Sequence, residues 1–342
     1  LEPIPEIMKK IYVPTPDEIV SRITRRKLSL ERSGKYYESE LRLMGRVYDI
    51  ITGKLLFVKH LPSPKSMPPF YAELAELACS GMYGKCIYRL RYMPRILRRI
   101  YETYRYRILA SENPREASRL RREAVGRMIS VLRREKCLGI VKRGVIALSK
   151  APGIVMDEPK IIIAGAPSSG KSTLLSRLSR ARPEIASYPF TTKSIMVGHM
   201  FLGETRYQLI DTPGILDRPL EERNEIEMKA ILAIRHLADS LIFLVDPSPQ
   251  AYYDLKQQFS LLDNTITRIT GRERIIVGVN KADLLGVGEA ETIVEELRRR
   301  GYENVYVVSA ETGLGLEPMV EAACRVAFTA HRRTTISRGH GP

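Results

Sequence analysis

The stretch GAPSSGKSTLL, residues 165–175, decides how the second half of this chain folds. By composition, Gly and Ser at such density suit a flexible linker. By position, Gly165, Ala166, Pro167, Ser168, Ser169, Gly170, Lys171 and Ser172 fit the pattern G-x-x-x-x-G-K-[ST], with Thr173 directly behind it. Context selects the second reading: KIIIAG (160–165) is a β-branched strand and KSTLLSRLSR (171–180) is helical, so the loop hands a strand over to a helix N-terminus. Backbone N–H groups from Ser168 to Ser172 then converge on one anion, aided by the helix dipole. This is a phosphate cradle. Lys171 is expected to bridge the β- and γ-phosphates and the Ser172 hydroxyl to ligate magnesium.

Outward from this loop, RYQLID (206–211), SLIFLVD (240–246), RIIVGVN (274–280) and NVYVVS (304–309) are further strands, most of them separated by helical stretches. Such alternation predicts an open, mainly parallel sheet with helices on both faces. Three strand ends carry further motifs. In DTPG (211–214) Asp211 can reach magnesium through water and the Gly214 N–H can meet the γ-phosphate. In NKAD (280–283), with Asn280 and Lys281, the Asp283 carboxylate can accept two hydrogen bonds from a purine with adjacent ring N–H and amino donors. Guanine has that edge and adenine lacks it. SAETG (309–313) brings Ser309, Ala310 and Glu311, with the Ala310 N–H facing the guanine carbonyl. Any one of these could be an ordinary turn. Four in this order, each at the end of a strand, define a site for GTP or GDP with Mg2+.

The first half of the chain reads differently. Of a net charge of +16, +14 falls between Lys85 and Lys150, where 19 Lys and Arg face five acids. TPDE (15–18) and NPRE (113–116) encode helix starts, and after Pro114 the apolar residues Ala117, Leu120, Ala124, Met128, Val131, Leu132 and Leu138 recur at three- and four-residue steps. These features predict an all-α antiparallel bundle of three to five helices over residues 1–150, a linker at 151–159 (from SKAPGIVMDEPK), an α/β domain over 160–331 and a tail at 332–342. The charge suits a polyanion, nucleic acid ahead of lipid; the lesser alternative is a solvated helical face. Candidate RNA contacts are Arg91, Arg95, Arg98, Arg99, Arg105, Arg107, Arg119, Arg121, Arg122, Arg133, Arg134, Lys142 and Arg143. Tyr83, Tyr88, Tyr92, Tyr101, Tyr104 and Tyr106 could stack on bases or pack between helices. The absence of a long apolar run and of a signal-like N-terminus predicts neither a membrane span nor export, and the spacing of Cys79, Cys86, Cys137 and Cys324 predicts reduced, buried thiols in the cytoplasm. His199 and His236 lack a nucleophile partner and read as structural.

The motif order resembles the small-G-domain P-loop fold. YPFTTKSIMVGHM (188–200) and IDTPGILDRPLEERNEIEMKAI (210–231) resemble the Obg-related branch, more narrowly the nucleolar GTP-binding protein 1 family, and PPFYAEL (68–74) and REAVGRM (122–128) are similar to its helical N-terminal region. The resemblance implies a GTPase that joins a precursor of the large ribosomal subunit, with the helical region on ribosomal RNA and contacts to ribosomal proteins. By length, ending at HRRTTISRGHGP (331–342), the chain looks like the short archaeal form, expected as a cytoplasmic monomer, or nucleolar in a eukaryote. The pair Thr191 and Thr192 alone does not say which reaches the metal; the resemblance assigns Thr192, with Lys171 and Gly214 completing the catalytic set.

Two positions depart from related GTPases. Ile215 stands where many carry a water-orienting Gln, so intrinsic turnover is expected to be slow. Ser168 stands where some carry an Asn that holds potassium, which weakens the case for potassium activation. The leading reading is a nucleotide switch in ribosome assembly. Its rivals are an RNA-binding scaffold that scarcely turns GTP over, another Obg-like ribosome-associated regulatory GTPase and, with less support, a membrane-recruited protein.

Overall fold

The computed structural model describes residues 3–25, 35–213, 215–217, 224–286 and 288–339. Seven α-helices precede residue 151 among them: α1 (Ile4–Lys9), α2 (Pro16–Arg25), α3 (Tyr36–Lys54), α4 (Pro69–Ala78), α5 (Tyr83–Leu109), α6 (Pro114–Arg134) and α7 (Cys137–Lys150). The sequence predicts three to five. The excess comes from segments such as α1 and α4, too short to hold a helix alone or to show a clear period, which tertiary burial stabilises. The expected caps form: Thr15 Oγ1 accepts from the Glu18 N–H at 3.2 Å while Glu18 Oε2 accepts from the Thr15 N–H at 3.0 Å, and Asn113 Oδ1 accepts from the Glu116 N–H at 2.9 Å.

The chain forms two compact units. One comprises Glu6–Met67 and Ala75–Ser149; the other comprises Pro68–Leu74 and Lys150 onward, with the described residues up to Pro5. The division therefore passes through α4 instead of following residue 150 alone. In the helical unit α3, α5 and α6 pack against one another. Arg89, near the start of α5, pairs with Glu135 just past the end of α6 at 2.7 Å, and Tyr104, late in α5, bonds Glu123 in mid α6 at 3.4 Å. Only an antiparallel pair satisfies both contacts, as the four-residue connection requires. The same geometry overturns the expectation of four reduced thiols. Cys86 and Cys137, 51 residues apart, are joined as a disulfide, while Cys79 and Cys324 stay free and buried.

The other unit holds one seven-stranded sheet: β1 (Lys160–Gly165), β2 (Glu184–Ser187), β3 (Ser194–Leu202), β4 (Thr205–Asp211), β5 (Ser240–Val245), β6 (Ile275–Val279) and β7 (Val305–Val307), in the order β2-β3-β4-β1-β5-β6-β7. The four pairings from β4 to β7 are parallel; β2 and β3 add antiparallel edges. Every residue of β1, β5 and β6 is buried, as expected of parallel strands covered on both faces. The covering helices are α8 (Lys171–Leu178), α9 (Glu225–Leu232), α10 (Leu255–Asn264), α11 (Glu289–Arg299) and α12 (Leu316–Gly339). Leu174, Leu175, Met319, Val320 and Ala323 close on Ile161, Ile163, Leu209, Ile242 and Leu244 to form one core. α12 runs through to Gly339, so residues 332–339 continue a helix instead of forming a separate tail. No helix among the described residues is long and apolar enough to cross a membrane.

Candidate nucleotide site

The loop between β1 and α8 is held open by backbone conformations that its sequence was chosen to permit. Gly165 has φ +148°, and a Cβ there would fall 2.5 Å from the Leu244 carbonyl oxygen of the neighbouring strand. Gly170 has φ +95°, and a Cβ there would fall 2.3 Å from Asn280 Nδ2. Both positions are closed to any side chain. Ser168 between them is also left-handed, at φ +62°.

Lys171 is 7% exposed and donates from Nζ to the Gly165 and Ala166 carbonyls at 3.0 and 2.7 Å. Burial lowers its pKa, opposed by the charge of Asp211. The Ser172 hydroxyl donates to Asp211 Oδ2 at 3.1 Å. Asp211, at the end of β4, is fully buried; burial raises its pKa, against the pull of Lys171 and Ser172. Its Oδ1 makes no hydrogen bond among the described residues. An unsatisfied buried carboxylate oxygen beside a hydroxyl is an all-oxygen donor set, which suits a hard divalent cation that keeps water and phosphate in the rest of its shell. Magnesium fits these residues.

The base end lies at the carboxyl ends of β6 and β7. Asn280, 2% exposed, donates from Nδ2 to the Ser169 carbonyl at 2.7 Å and accepts at Oδ1 from the Ala310 N–H at 2.8 Å. Ser309 is buried and its Oγ accepts from the Thr312 N–H at 3.1 Å, which shapes the loop. A cavity of about 260 Å³ is lined by Ser168, Gly170, Thr173, Asn280, Asp283 and Ala310 among others, with Lys281, Ser309 and Glu311 at its walls. Asp283 is exposed there and free to face a ligand.

Other expected residues are placed as follows. Thr191 is tied into its own turn, accepting from the Lys193 N–H at 3.2 Å and donating to the Tyr188 carbonyl at 3.1 Å, which leaves Thr192 exposed. Thr192 lies four residues before Met196, the register partner of Asp211, and makes no hydrogen bond to Ser172 or Asp211 among the described residues. Gly214, and residues 218–223 of the neighbouring segment, lie outside the described residues. Ile215, one residue past DTPG, is fully buried. His236 pairs with Glu73 at 2.7 Å and His199 lies 3.9 Å from Glu158, both away from the cradle residues in sequence and in bonding. In the helical unit Arg95, Arg98, Arg99, Arg105, Arg107, Arg119, Arg122, Arg133, Arg134 and Arg143 are exposed and Lys142 is half-buried. Arg121 instead pairs with Glu40 between α6 and α3, while Arg91, also exposed, donates to the Leu61 carbonyl at 2.8 Å.

Sequence reading missed three contributors. Asp246, 1% exposed at the end of β5, pairs with Lys281 and accepts from the Ser248 N–H at 3.0 Å. Its signal was the run SLIFLVD, since a carboxylate after a central parallel strand opens onto the ligand crevice. Arg177 on α8 donates from Nε to the Ala310 carbonyl at 2.7 Å and from Nη2 to the Glu311 carbonyl, holding the base loop through its carbonyls. Tyr188, 1% exposed, donates to the Ala230 carbonyl in α9 and stacks on Phe70 with centroids 6.4 Å apart. Neither of the last two has a local sequence signal.

A phosphate cradle, a carboxylate and hydroxyl for the metal, and a base pocket with an exposed Asp, all at one edge of a parallel sheet, define a P-loop GTPase with a helical unit before it. Comparison with known proteins agrees. Residues 160–281 match the family described as 50S ribosome-binding GTPase, and residues 8–154 match the NOG1 N-terminal helical domain. An uncharacterized protein of Methanocaldococcus jannaschii is 38% identical over 66% of this chain and 63% of its own length; nucleolar GTP-binding protein 1 of Caenorhabditis elegans is 28% identical over 88% of this chain and 45% of its own. The chain thus spans less than two thirds of these relatives. A crystal structure from Plasmodium falciparum, described as a nucleolar GTP-binding protein 1, is 30% identical over 55% of this chain and 95% of its own, with a TM-score of 0.46. The chain belongs to the nucleolar GTP-binding protein 1 family.

Proposed function

We propose that this protein is a magnesium-dependent GTPase with slow intrinsic turnover, acting as a switch in assembly of the large ribosomal subunit and binding ribosomal RNA of the precursor particle through its helical unit. Magnesium, when bound, would neutralise charge on the transferred phosphate, held by Ser172 and Asp211, with Thr192 of the 183–193 segment joining in the GTP state. Lys171 must leave the Gly165 and Ala166 carbonyls to meet phosphate, an exchange of neutral acceptors for charged ones that favours binding. The buried Ile215 offers no polar group to orient water, which supports slow turnover without a partner.

The observation that carries the switch is Tyr188. It sits between the metal-side threonines and β2, its hydroxyl holds the helix that follows DTPG, and its ring stacks on Phe70, a residue that precedes the G domain in sequence by some ninety positions. A change of nucleotide state in either segment therefore reaches α4. Affinity for large-subunit precursor particles should differ between a non-hydrolysable GTP analogue and GDP; equal affinity sinks the switch. The buried Ile215 also favours the second reading, a scaffold whose GTP is scarcely turned over. Single-turnover hydrolysis on those particles separates the two. Action as a monomer in the cytoplasm, or in the nucleolus of a eukaryote, belongs to the same proposal.

A further inference from the structure

The fold sorts the tyrosines of the basic region into two sets. Tyr83 and Tyr104 are buried, and Tyr101 packs on Tyr48 with centroids 5.1 Å apart. Tyr88, Tyr92 and Tyr106 are 75%, 47% and 66% exposed. At about 100° per residue these three point within roughly 40° of one another along α5, on the side away from the buried stripe Cys86, Leu90, Met93, Leu97 and Tyr104. Arg95 and Arg99 are exposed and fall on the same line between Tyr92 and Tyr106. The Arg95 guanidinium lies 5.5 Å from the Tyr92 centroid and that of Arg105 lies 6.0 Å from the Tyr106 centroid. Glu102, the acid nearest this line, pairs with Arg105 at 3.6 Å. The result is a row of ring faces and cations about 27 Å long, directed at solvent.

Packing within the unit does not account for these rings, since the core stripe lies on the other side of the helix. Ile96 and Leu109 are the exposed aliphatic residues of α5 beside this row, too few to make the continuous apolar face that a lipid surface needs. We propose that the outer face of α5 binds unpaired nucleotides of an RNA strand, bases stacking on Tyr88, Tyr92 and Tyr106 while Arg95 and Arg99 hold the intervening phosphates. This rests on the reading of the helical unit as RNA-binding and specifies what it takes: exposed bases, not duplex. In an A-form duplex the base faces are already stacked on one another and the rings have nothing to meet.

The full chain has no tryptophan, so Tyr92→Trp supplies a single reporter whose emission is quenched when a base stacks on it. Binding is measured at fixed salt to a mixed-sequence single-stranded RNA long enough to span the row, and to the same sequence as a duplex. The single strand should bind more tightly and quench the reporter. Tyr88→Ala and Tyr106→Ala should each weaken single-strand binding by about 5- to 150-fold, with duplex binding and melting temperature unchanged, and Tyr→Phe at the same positions should restore it. Arg95→Gln should lower the salt dependence by about one unit, while the alanine variants leave it alone. If the alanine variants bind the single strand as before, lose both forms equally, or the reporter stays bright in the bound state, stacking is refuted while RNA binding stands. If neither RNA form binds, the parent reading falls with it.

Discussion

Asn280 and Asp283 belong to one motif, yet the structure gives them different tasks, and truncating each in turn separates fold from recognition. Asn280 is buried and holds two buried backbone groups, the Ser169 carbonyl and the Ala310 N–H. Removing its amide leaves both unpaired, at about 1–3 kcal/mol each. The adjoining cavity can admit water and relieve part of this, so Asn280→Ala should destabilise the ligand-free protein by about 2–4 kcal/mol. For a unit of this size that is about 4–16 °C in Tm. Asp283 is exposed, so Asp283→Ala should change stability by less than about 0.5 kcal/mol. It should instead lose the two charge-assisted hydrogen bonds to guanine and weaken GDP binding by about two to four orders of magnitude. Inosine diphosphate lacks the 2-amino group, so the GDP to IDP ratio should collapse toward one in Asp283→Ala. Calorimetric melting without nucleotide and titration with both nucleotides read these quantities. A wild-type melting temperature for Asn280→Ala, or a retained GDP to IDP ratio for Asp283→Ala, refutes the assignment.

Arg177→Ala frees the Ala310 and Glu311 carbonyls and should weaken GDP about 10- to 100-fold while leaving the GDP to IDP ratio intact, because Asp283 is untouched; competition binding checks both. At the other end of the sheet Asp239 faces buried Lys160 and His331: burial raises its pKa, but the His331 hydrogen bond and the Lys160 charge outweigh burial and hold it below the ordinary 3.8. A depressed folded pKa means stability present above the ordinary value and lost as pH falls through the folded one, so the stability gap between wild type and Asp239→Asn should close between about pH 5 and pH 2 in chemical denaturation. Burial pushes the Cys79 thiol up to about 11 and Cys324 up to about 12, so iodoacetamide at pH 8 should modify neither in the folded protein and both in urea, by mass spectrometry.

The nucleotide site was legible in the sequence because each of its parts is a local device. A glycine that must be left-handed, a hydroxyl at the start of a helix and a carboxylate at the end of a β-branched run are written in consecutive residues, and their order along the chain fixes their order across a parallel sheet. Which of its polar groups are already paired within the protein was less legible. That the Ala310 amide meets Asn280 depends on a neighbour brought from the end of another strand, whereas Thr191 is tied to Tyr188 and Lys193 within its own turn.

The same distinction governs the helical unit. Charge and the caps at Thr15 and Asn113 could be read directly, since both are properties of short segments. The pairing of Cys86 with Cys137, the inward turn of Arg121 toward Glu40 and the division of six tyrosines into core and surface could not, nor, within the other unit, could the seating of Phe70 on Tyr188. Each requires two segments at least 51 residues apart to meet, or requires knowing which side of a helix is covered. Sequence alone settled what chemistry this chain can hold and where along it the strands and phosphate loop lie. Tertiary packing decided which of its charged and aromatic side chains remain free to use, because burial is a property of neighbours and not of residue type.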